Sequence, residues 1–136
     1  MKILASLLTF IFALSLTSAL TINVNTTGYE VLNNFTLSNN SIQDAVSNSS
    51  QGDTILISEG NYTTQLFINK SLSIIGSGWD KTKIISPENA HSLSGNSGAI
   101  VSGVLIYSPN YSNPSIDVHF GNLTISGATN NTTGIF

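Results

Sequence analysis

From Asp53 onward, the chain alternates short runs of β-branched and aliphatic residues with turn residues, and no helical pattern intervenes. Gly, Asn, Pro or Ser bounds each run, as is typical of short β-strands. The predicted strands are 54–58, 65–69, 72–75, 83–86, 100–107, 116–120 and 123–126. Strands this short and this closely spaced predict an all-β fold, which can be a sandwich, a barrel or a solenoid.

Two features of these runs favour the solenoid. Apolar residues recur two positions apart, so their side chains face one side of a strand. These inward-facing pairs are Ile55/Ile57, Leu66/Ile68 and Leu72/Ile74. The two-residue hairpin turns that are typical of antiparallel sheets are missing from the pattern. Because one rung of a solenoid cannot bury its core alone, the first rung needs a cover.

Residues 41–48 supply a candidate cover, a short amphipathic helix. Ser41 can cap its start with Asp44 at the third helical position, as in a capping box. Ile42, Ala45 and Val46 share one face, and the turn-forming cluster 48–52 ends the pattern. Residues 20–40 form an Asn-rich lead-in with two strand-like pieces, 20–24 and 30–37. The domain itself is expected to span 41–136.

The first nineteen residues have the pattern of a secretory signal peptide. Met1-Lys2 is followed by an apolar run over 3–16, and Ser18 and Ala19 belong to a small-residue cleavage site. A short membrane anchor or a buried helix is the alternative, although the run is shorter than the ~20 residues that a spanning helix needs. We expect cleavage after Ala19, no later membrane span, and a secreted or cell-surface location.

The composition narrows the possible partners. The whole chain has a net charge of −3, and loss of Lys2 with the signal peptide leaves −4. There is no arginine and no basic patch that could neutralise phosphates, so the sequence excludes nucleic acid as a partner. Cysteine is absent as well, so stability must come from stacking and burial.

Asparagine, serine and threonine dominate the region after residue 19. Many of them form Asn-x-Ser/Thr sequons, which are acceptors for N-glycosylation in exported proteins. The sequons begin at Asn25, Asn34, Asn39, Asn48, Asn61, Asn69, Asn110, Asn122, Asn130 and Asn131. The alternative is an Asn/Thr-rich β sequence in which the same pattern places polar residues in turns and on outward faces.

Residues 41–86 resemble the opening of right-handed parallel β-helices of the pectin lyase-like superfamily. The resemblance lies in Ser-Ile-Gln-Asp-Ala-Val at 41–46, Gly-Asp-Thr-Ile-Leu-Ile at 52–57 and Glu-Gly-Asn-Tyr at 59–62. The stretches 68–78 and 80–85 look like the "strand, Gly-x-Gly, then Lys-Thr-x-Ile" segment of pectin methylesterases. The resemblance implies a right-handed parallel β-helix with a capping α-helix at its N-terminal end.

The catalytic motifs of those enzymes, Gln-Asp-Thr and Asp-Phe-Ile-Phe-Gly, do not occur in this sequence. We therefore assign no catalytic residue, cofactor or metal site. The alternative is the N-terminal fragment of a pectin lyase-like carbohydrate-active enzyme, in which adjacent rungs would bring Asp53 and Asp80 together. His91 and His119 have no close Cys or acidic companions, which argues against a metal site.

In its signal peptide and its Asn/Thr/Ser-rich strands, the chain resembles adhesin-like surface proteins of methanogenic archaea. That resemblance implies contact with glycans or other cell-envelope proteins. Because such proteins are much longer, we expect residues 41–136 to be the start of a longer solenoid. A chain that stopped at Phe136 would expose its last rung and self-associate there.

Four further features are candidate ligand contacts. Gly76-Ser77-Gly78 is a lone Gly-x-Gly without a following helix, so it predicts a structural corner rather than a phosphate-binding loop. Trp79, Tyr107 and Tyr111 are candidates for stacking on sugar rings. The alternative for these aromatic residues is packing over the outside of the coil.

Overall fold

A computed structural model describes residues 18–88, 92–95, 98–107, 115–127 and 133–135. The described part is mostly strand, with one short helix, α1. The elements in chain order are β1 Thr21–Asn25, β2 Gly28–Val31, β3 Asn34–Leu37, α1 Ser41–Asn48, β4 Thr54–Ile57, β5 Gly60–Thr63, β6 Leu66–Ile68, β7 Leu72–Gly76, β8 Thr82–Ile85, β9 Ser92–Gly95, β10 Gly98–Ile106, β11 Val118–Gly121, β12 Thr124–Ser126 and β13 Thr133–Ile135. The all-β prediction with a single short helix is confirmed.

The strands form three main sheets, in which most pairs are parallel. Sheet I has the order β11-β7-β4-β1-β2-β3, and its first four strands are parallel. Sheet II is β12-β8-β5 and sheet III is β13-β10-β6, and both are parallel. Strand β9 pairs antiparallel with β10. The chain therefore visits sheets I, II and III in order with β4, β5 and β6, and later strands pair beside these in the same order.

The core lies between the inner faces of the three sheets. In sheet I, Ile22 pairs with Ile55, which pairs with Ile74, and these three side chains are buried. In sheet II, Tyr62 pairs with Ile84. All six residues of the predicted inward-facing pairs are buried, as predicted: Ile55, Ile57, Leu66, Ile68, Leu72 and Ile74. Alternation of apolar residues along each strand thus builds continuous apolar ladders across strands.

Helix α1 matches the predicted range and covers the first strands. Ile42, Ala45 and Val46 are buried, and the helix contacts β1, β2, β4 and β6. The predicted capping box is wrong. The N-cap is Asn40, Ser41 Oγ donates instead to the carbonyl oxygen of Asn25, and the helix has no side-chain cap bond.

Two long side chains join α1 to the strands beneath it. Gln43 Oε1 accepts a hydrogen bond from Phe67 N at 2.8 Å, and Gln43 Nε2 lies 3.4 Å from Phe67 O. Lys70 Nζ donates to three carbonyl oxygens at the end of the helix, those of Val46, Ser47 and Ser49. A cation at this position also interacts favourably with the negative end of the helix dipole.

The lead-in contributes the other edge of sheet I. The predicted strand over 30–37 is wrong as one piece, because Leu32 and Asn33 have φ of 50° and 65° and form a two-residue hairpin turn between β2 and β3. A second two-residue turn joins β1 to β2, and Asn25 Oδ1 accepts bonds from the backbone N–H groups of Thr27 and Gly28 there. The expected absence of such hairpins is therefore wrong for this segment.

Strand β5 was missed by the sequence prediction because Gly60 and Asn61 read as turn residues. Gly60 has a φ of 149° at the corner where the chain passes from sheet I to sheet II. Only glycine adopts this conformation readily. The glycine lets the chain turn and begin pairing with β8 at once.

Among the residues that the structure describes, no helix is long and apolar enough to cross a membrane. The predicted signal peptide spans residues 1–19, of which the structure describes only Ser18 and Ala19. These two residues are exposed, and β1 begins two residues after Ala19.

Candidate functional site

The outer face of sheet II carries an aligned row of polar side chains. Asn61 on β5 pairs with Lys83 on β8, and Lys83 pairs with Thr124 on β12. We call these three residues the polar ladder. Asn61 and Lys83 are exposed and Thr124 is half-buried. Because the three strands are in register, their outward groups lie side by side across the sheet.

Trp79 lies at one end of the polar ladder, in the turn between β7 and β8. Its side chain is 74% exposed, so most of the indole surface is accessible to a ligand. Its backbone is held in place, since Thr124 Oγ1 donates to Trp79 O at 2.6 Å. An exposed indole on an anchored turn is suited to stacking on a flat apolar surface.

The glycines beside Trp79 form a structural corner and not an anion-binding loop. Ser77 N donates to Thr82 Oγ1 at 3.0 Å, and Gly78 N donates to the carbonyl oxygen of Asn122 at 3.0 Å. These N–H groups are therefore already bonded to protein acceptors. A side chain at Gly76 would clash with the same Asn122 carbonyl group, which explains the glycine by crowding rather than by its φ.

The structure does not bring Trp79 and Tyr107 together in one site. Tyr107 is 44% exposed and follows β10 of sheet III, where its N–H bonds to Ile68 O. Trp79 precedes β8 of sheet II, so the two lie at different corners of the fold. Tyr111 lies outside the described residues. Of the two described candidates, Trp79 is thus the one that lies beside the polar ladder.

The acidic pair of the enzyme alternative does not come together. Asp53 immediately precedes β4, and its backbone oxygen accepts a bond from Ser73 N in β7. Asp80 follows the opposite end of β7, which is parallel to β4. The two carboxylates therefore lie at opposite ends of sheet I. Within the described ranges there is no cluster of three His, Asp or Glu residues that could hold a metal ion.

Asp53 is a buried carboxylate with two partners. It is 2% exposed, Oδ1 accepts a bond from Leu20 N at 2.8 Å, and Oδ2 accepts one from Ser50 N at 2.7 Å. His119 lies exposed on β11 opposite Ser73, and His91 lies outside the described residues. Sequence reasoning considered Asp53 only as a catalytic group and missed its link to Leu20, which is distant in sequence.

The described sequon asparagines are all exposed: Asn25, Asn34, Asn39, Asn48, Asn61, Asn69 and Asn122. Asn48 differs in one respect, because its Nδ2 donates to Tyr29 OH at 3.0 Å and to Asp44 O at 2.8 Å. Both amide hydrogens are used, so a sugar at Nδ2 would replace a bond that fixes α1. Asn110, Asn130 and Asn131 lie outside the described residues.

A small polar pocket lies between the start of α1 and β5. Asn39 and Asn61 both line it, as do Thr64 and Tyr62. Burial raises the pKa of Tyr62 above its ordinary value of 10.0, and its hydroxyl group donates to Ser58 O at 3.1 Å. The sequence shows no signal for this pocket, since its residues come from separate elements.

Exposed apolar side chains cluster on the β2–β3 hairpin, which sequence reasoning also missed. Leu32 and Leu37 are 72% and 79% exposed, and Phe35 is half exposed.

No protein-family model, curated protein or solved structure matches this chain.

Proposed function

We propose that the chain is a secreted or cell-surface protein that acts by contact, with glycans as its ligand class. The observation that carries the proposal is the exposed Trp79 indole on an anchored turn beside the polar ladder. An indole stacks on the apolar face of a sugar ring, and ammonium, amide and hydroxyl groups bond to sugar hydroxyl groups.

The proposal includes the architecture that presents this face. The successive strand triplets would be coils of a right-handed parallel β-helix, with α1 as the cover of its first coil. Support comes from the register: Ile55 pairs with Ile74, nineteen residues later, and Tyr62 pairs with Ile84, twenty-two residues later. Stacked coils of similar length bury one another's apolar faces and leave long outer faces for contact.

Binding to a glycan array tests the glycan proposal. The protein should come from a host that does not attach N-glycans, since a sugar on Asn61 would lie beside Lys83. We expect Trp79→Ala to weaken binding about tenfold, which corresponds to loss of one stacking contact of about 1.4 kcal/mol. Trp79→Phe should retain part of the affinity.

Leu37→Ala is the matched control, because Leu37 is as exposed as Trp79 but lies on the β2–β3 hairpin. Full binding by Trp79→Ala, or equal loss in both variants, would contradict the proposed site. Reproducible cleavage of pectin-like polymers, abolished by Asp53→Asn or Asp80→Asn, would favour the carbohydrate-active enzyme instead.

We further propose that the exported chain is a glycoprotein. The support is the exposure of the seven described sequon asparagines. Site-resolved glycopeptide mass spectrometry of protein secreted by its native host should find sugar at several of them but not at Asn48, whose Nδ2 is bonded twice. Bare peptide masses throughout would show that the sequons are compositional.

A second candidate function is assembly with another copy or another envelope protein through the β11–β12 edge. Val118, Phe120, Leu123 and Ile125 pack on the core but are only partly buried. Their counterparts one strand earlier, Leu72, Ile74 and Ile84, are 3% exposed or less. Sedimentation velocity across a hundredfold range of concentration should show association, and a constant monomer mass would count against self-assembly.

A further inference from the structure

We propose that Asp53 is the receptor for a new N-terminus. Cleavage after Ala19 would leave Leu20 with an α-ammonium group, and the bond between Leu20 N and Asp53 would become a buried ion pair. Removal of the leader would thereby strengthen the mature fold. The inference rests on the export proposed above, and its test separates the two.

The geometry around Leu20 already fits this role. Leu20 N lies 2.8 Å from Asp53 Oδ1, and Leu20 O accepts a bond from Thr54 N at 2.9 Å. Leu20 is half-buried, whereas Ser18 and Ala19 are exposed. Both the N–H and the C=O groups of the residue that would become the N-terminus are therefore hydrogen-bonded. The peptide bond before this residue follows two exposed residues.

The electrostatics favour a positive charge at this nitrogen. Asp53 is 2% exposed, and its carboxylate accepts hydrogen bonds from the backbone N–H groups of Leu20 and Ser50. The present bond from Leu20 N already has an ionised acceptor, but Asp53 remains a buried charge without an opposite charge. An uncompensated buried charge is strongly destabilising, so a positive charge at the same nitrogen stabilises the folded chain.

The other charged groups nearby are directed elsewhere. Lys70 Nζ bonds to the carbonyl oxygens at the end of α1. Asp117 is exposed and lies one strand beyond β7, where its backbone oxygen accepts a bond from Leu72 N. An α-ammonium group at Leu20 would therefore be the direct ionic partner of Asp53.

The expected pH dependence follows from the ion pair. Pairing raises the pKa of the α-amino group in the folded state above its ordinary value of about 7.7–8.0. Stability from a group with a raised folded pKa is fully present below the unfolded pKa and is lost as pH rises through the folded value. The gain should thus be complete near pH 6 and absent well above pH 8.

The test compares three chains with defined N-termini and identical side chains from Leu20 onward. The first begins at Leu20 with a free amine, the second is the same chain acetylated, and the third begins at Ala19. At pH 6 the first chain should melt about 4 °C or more above the other two. The ion pair between the Leu20 α-ammonium group and Asp53 stabilises only this chain, and one such contribution shifts the Tm of a domain this size by several degrees. The difference should close as pH rises.

Asp53→Asn is the matched variant, because it removes the charge at nearly the same size, although it keeps only one of the two accepting oxygens. It should abolish the Tm difference between the free and acetylated chains at pH 6. Equal melting of these two chains in the unsubstituted protein would overturn the proposal, as would a difference that persists in Asp53→Asn. The acetylated chain keeps the test valid even where Asp53→Asn does not fold.

The N-terminus of the exported protein is then sequenced. A first residue of Leu20 supports the proposal. Export with a different first residue overturns the ion pair and leaves export intact. Retention of Met1 in the cell overturns both.

Discussion

Gln43 offers a direct test of how α1 is joined to the strands. Its Oε1 accepts a 2.8 Å bond from Phe67 N on β6, while the Nε2 bond to Phe67 O is long at 3.4 Å. A net contribution of about 1 kcal/mol is expected from the short bond, and little from the long one. Alanine has the better helix propensity by a few tenths of a kcal/mol, which offsets part of the loss.

We therefore expect Gln43→Ala to lower the free energy of unfolding by about 0.7 kcal/mol, or the Tm by about 3 °C. Gln43→Glu keeps an acceptor for Phe67 N and should lose less. Hydrogen exchange at the Phe67 amide gives the local measurement, and this amide should exchange faster in Gln43→Ala. The matched control is Gln51→Ala, at an exposed position in the turn after α1.

A surface substitution of this kind changes stability by less than about 0.5 kcal/mol. If Gln43→Ala were as stable as Gln51→Ala, and the Phe67 amide were equally protected, the side-chain link between α1 and β6 would be refuted as a source of stability. The helix would then be held by its apolar face alone.

Gly76→Ala should lower the free energy of unfolding by about 1–3 kcal/mol, because the added methyl group would clash with the Asn122 carbonyl and lie 2.8 Å from Thr82 Cβ. An unchanged thermal melt would contradict the crowding argument. Lys70→Met, which keeps the apolar stem, should cost about 1–2 kcal/mol in urea denaturation through loss of the bonds to the helix carbonyls. A variant as stable as the unsubstituted protein would contradict a stabilising role for these bonds. Burial raises the pKa of Tyr62, so the stability it supports is present below about pH 10 and lost above it. Tyr62→Phe should flatten this alkaline decline, and an unaltered decline would assign it to other groups.

Local patterns in the sequence predicted the elements well where the period was clear. The alternation of Ile55 with Ile57 and of Leu72 with Ile74 predicted buried faces, and all four are buried. The 3.6-residue spacing of Ile42, Ala45 and Val46 predicted α1 within its observed range. The capping box failed because Ser41 found a tertiary acceptor, the Asn25 carbonyl oxygen, which no local pattern could indicate.

The prediction of one strand over 30–37 failed for a related reason, because a hairpin turn divides this segment at Leu32 and Asn33. Leucine rarely adopts a positive φ, so its sequence gives no turn signal there. The antiparallel pairing of β2 with β3 stabilises that conformation only after the chain has folded back. The same holds for the candidate site. The sequence indicated Trp79 as a candidate, but its 74% exposure depends on the folded structure and could not be predicted.

By itself, the sequence determined the inward-facing pairs such as Ile55 and Ile57 and the place of α1. These depend on residue type and on periodicity, which are local. Only the tertiary structure decided that Lys83 lies between Asn61 and Thr124, and that Asp53 meets Leu20 and not Asp80. Strand partners are chosen by burial and register across many residues of chain, so these neighbours exist only once the sheets have formed.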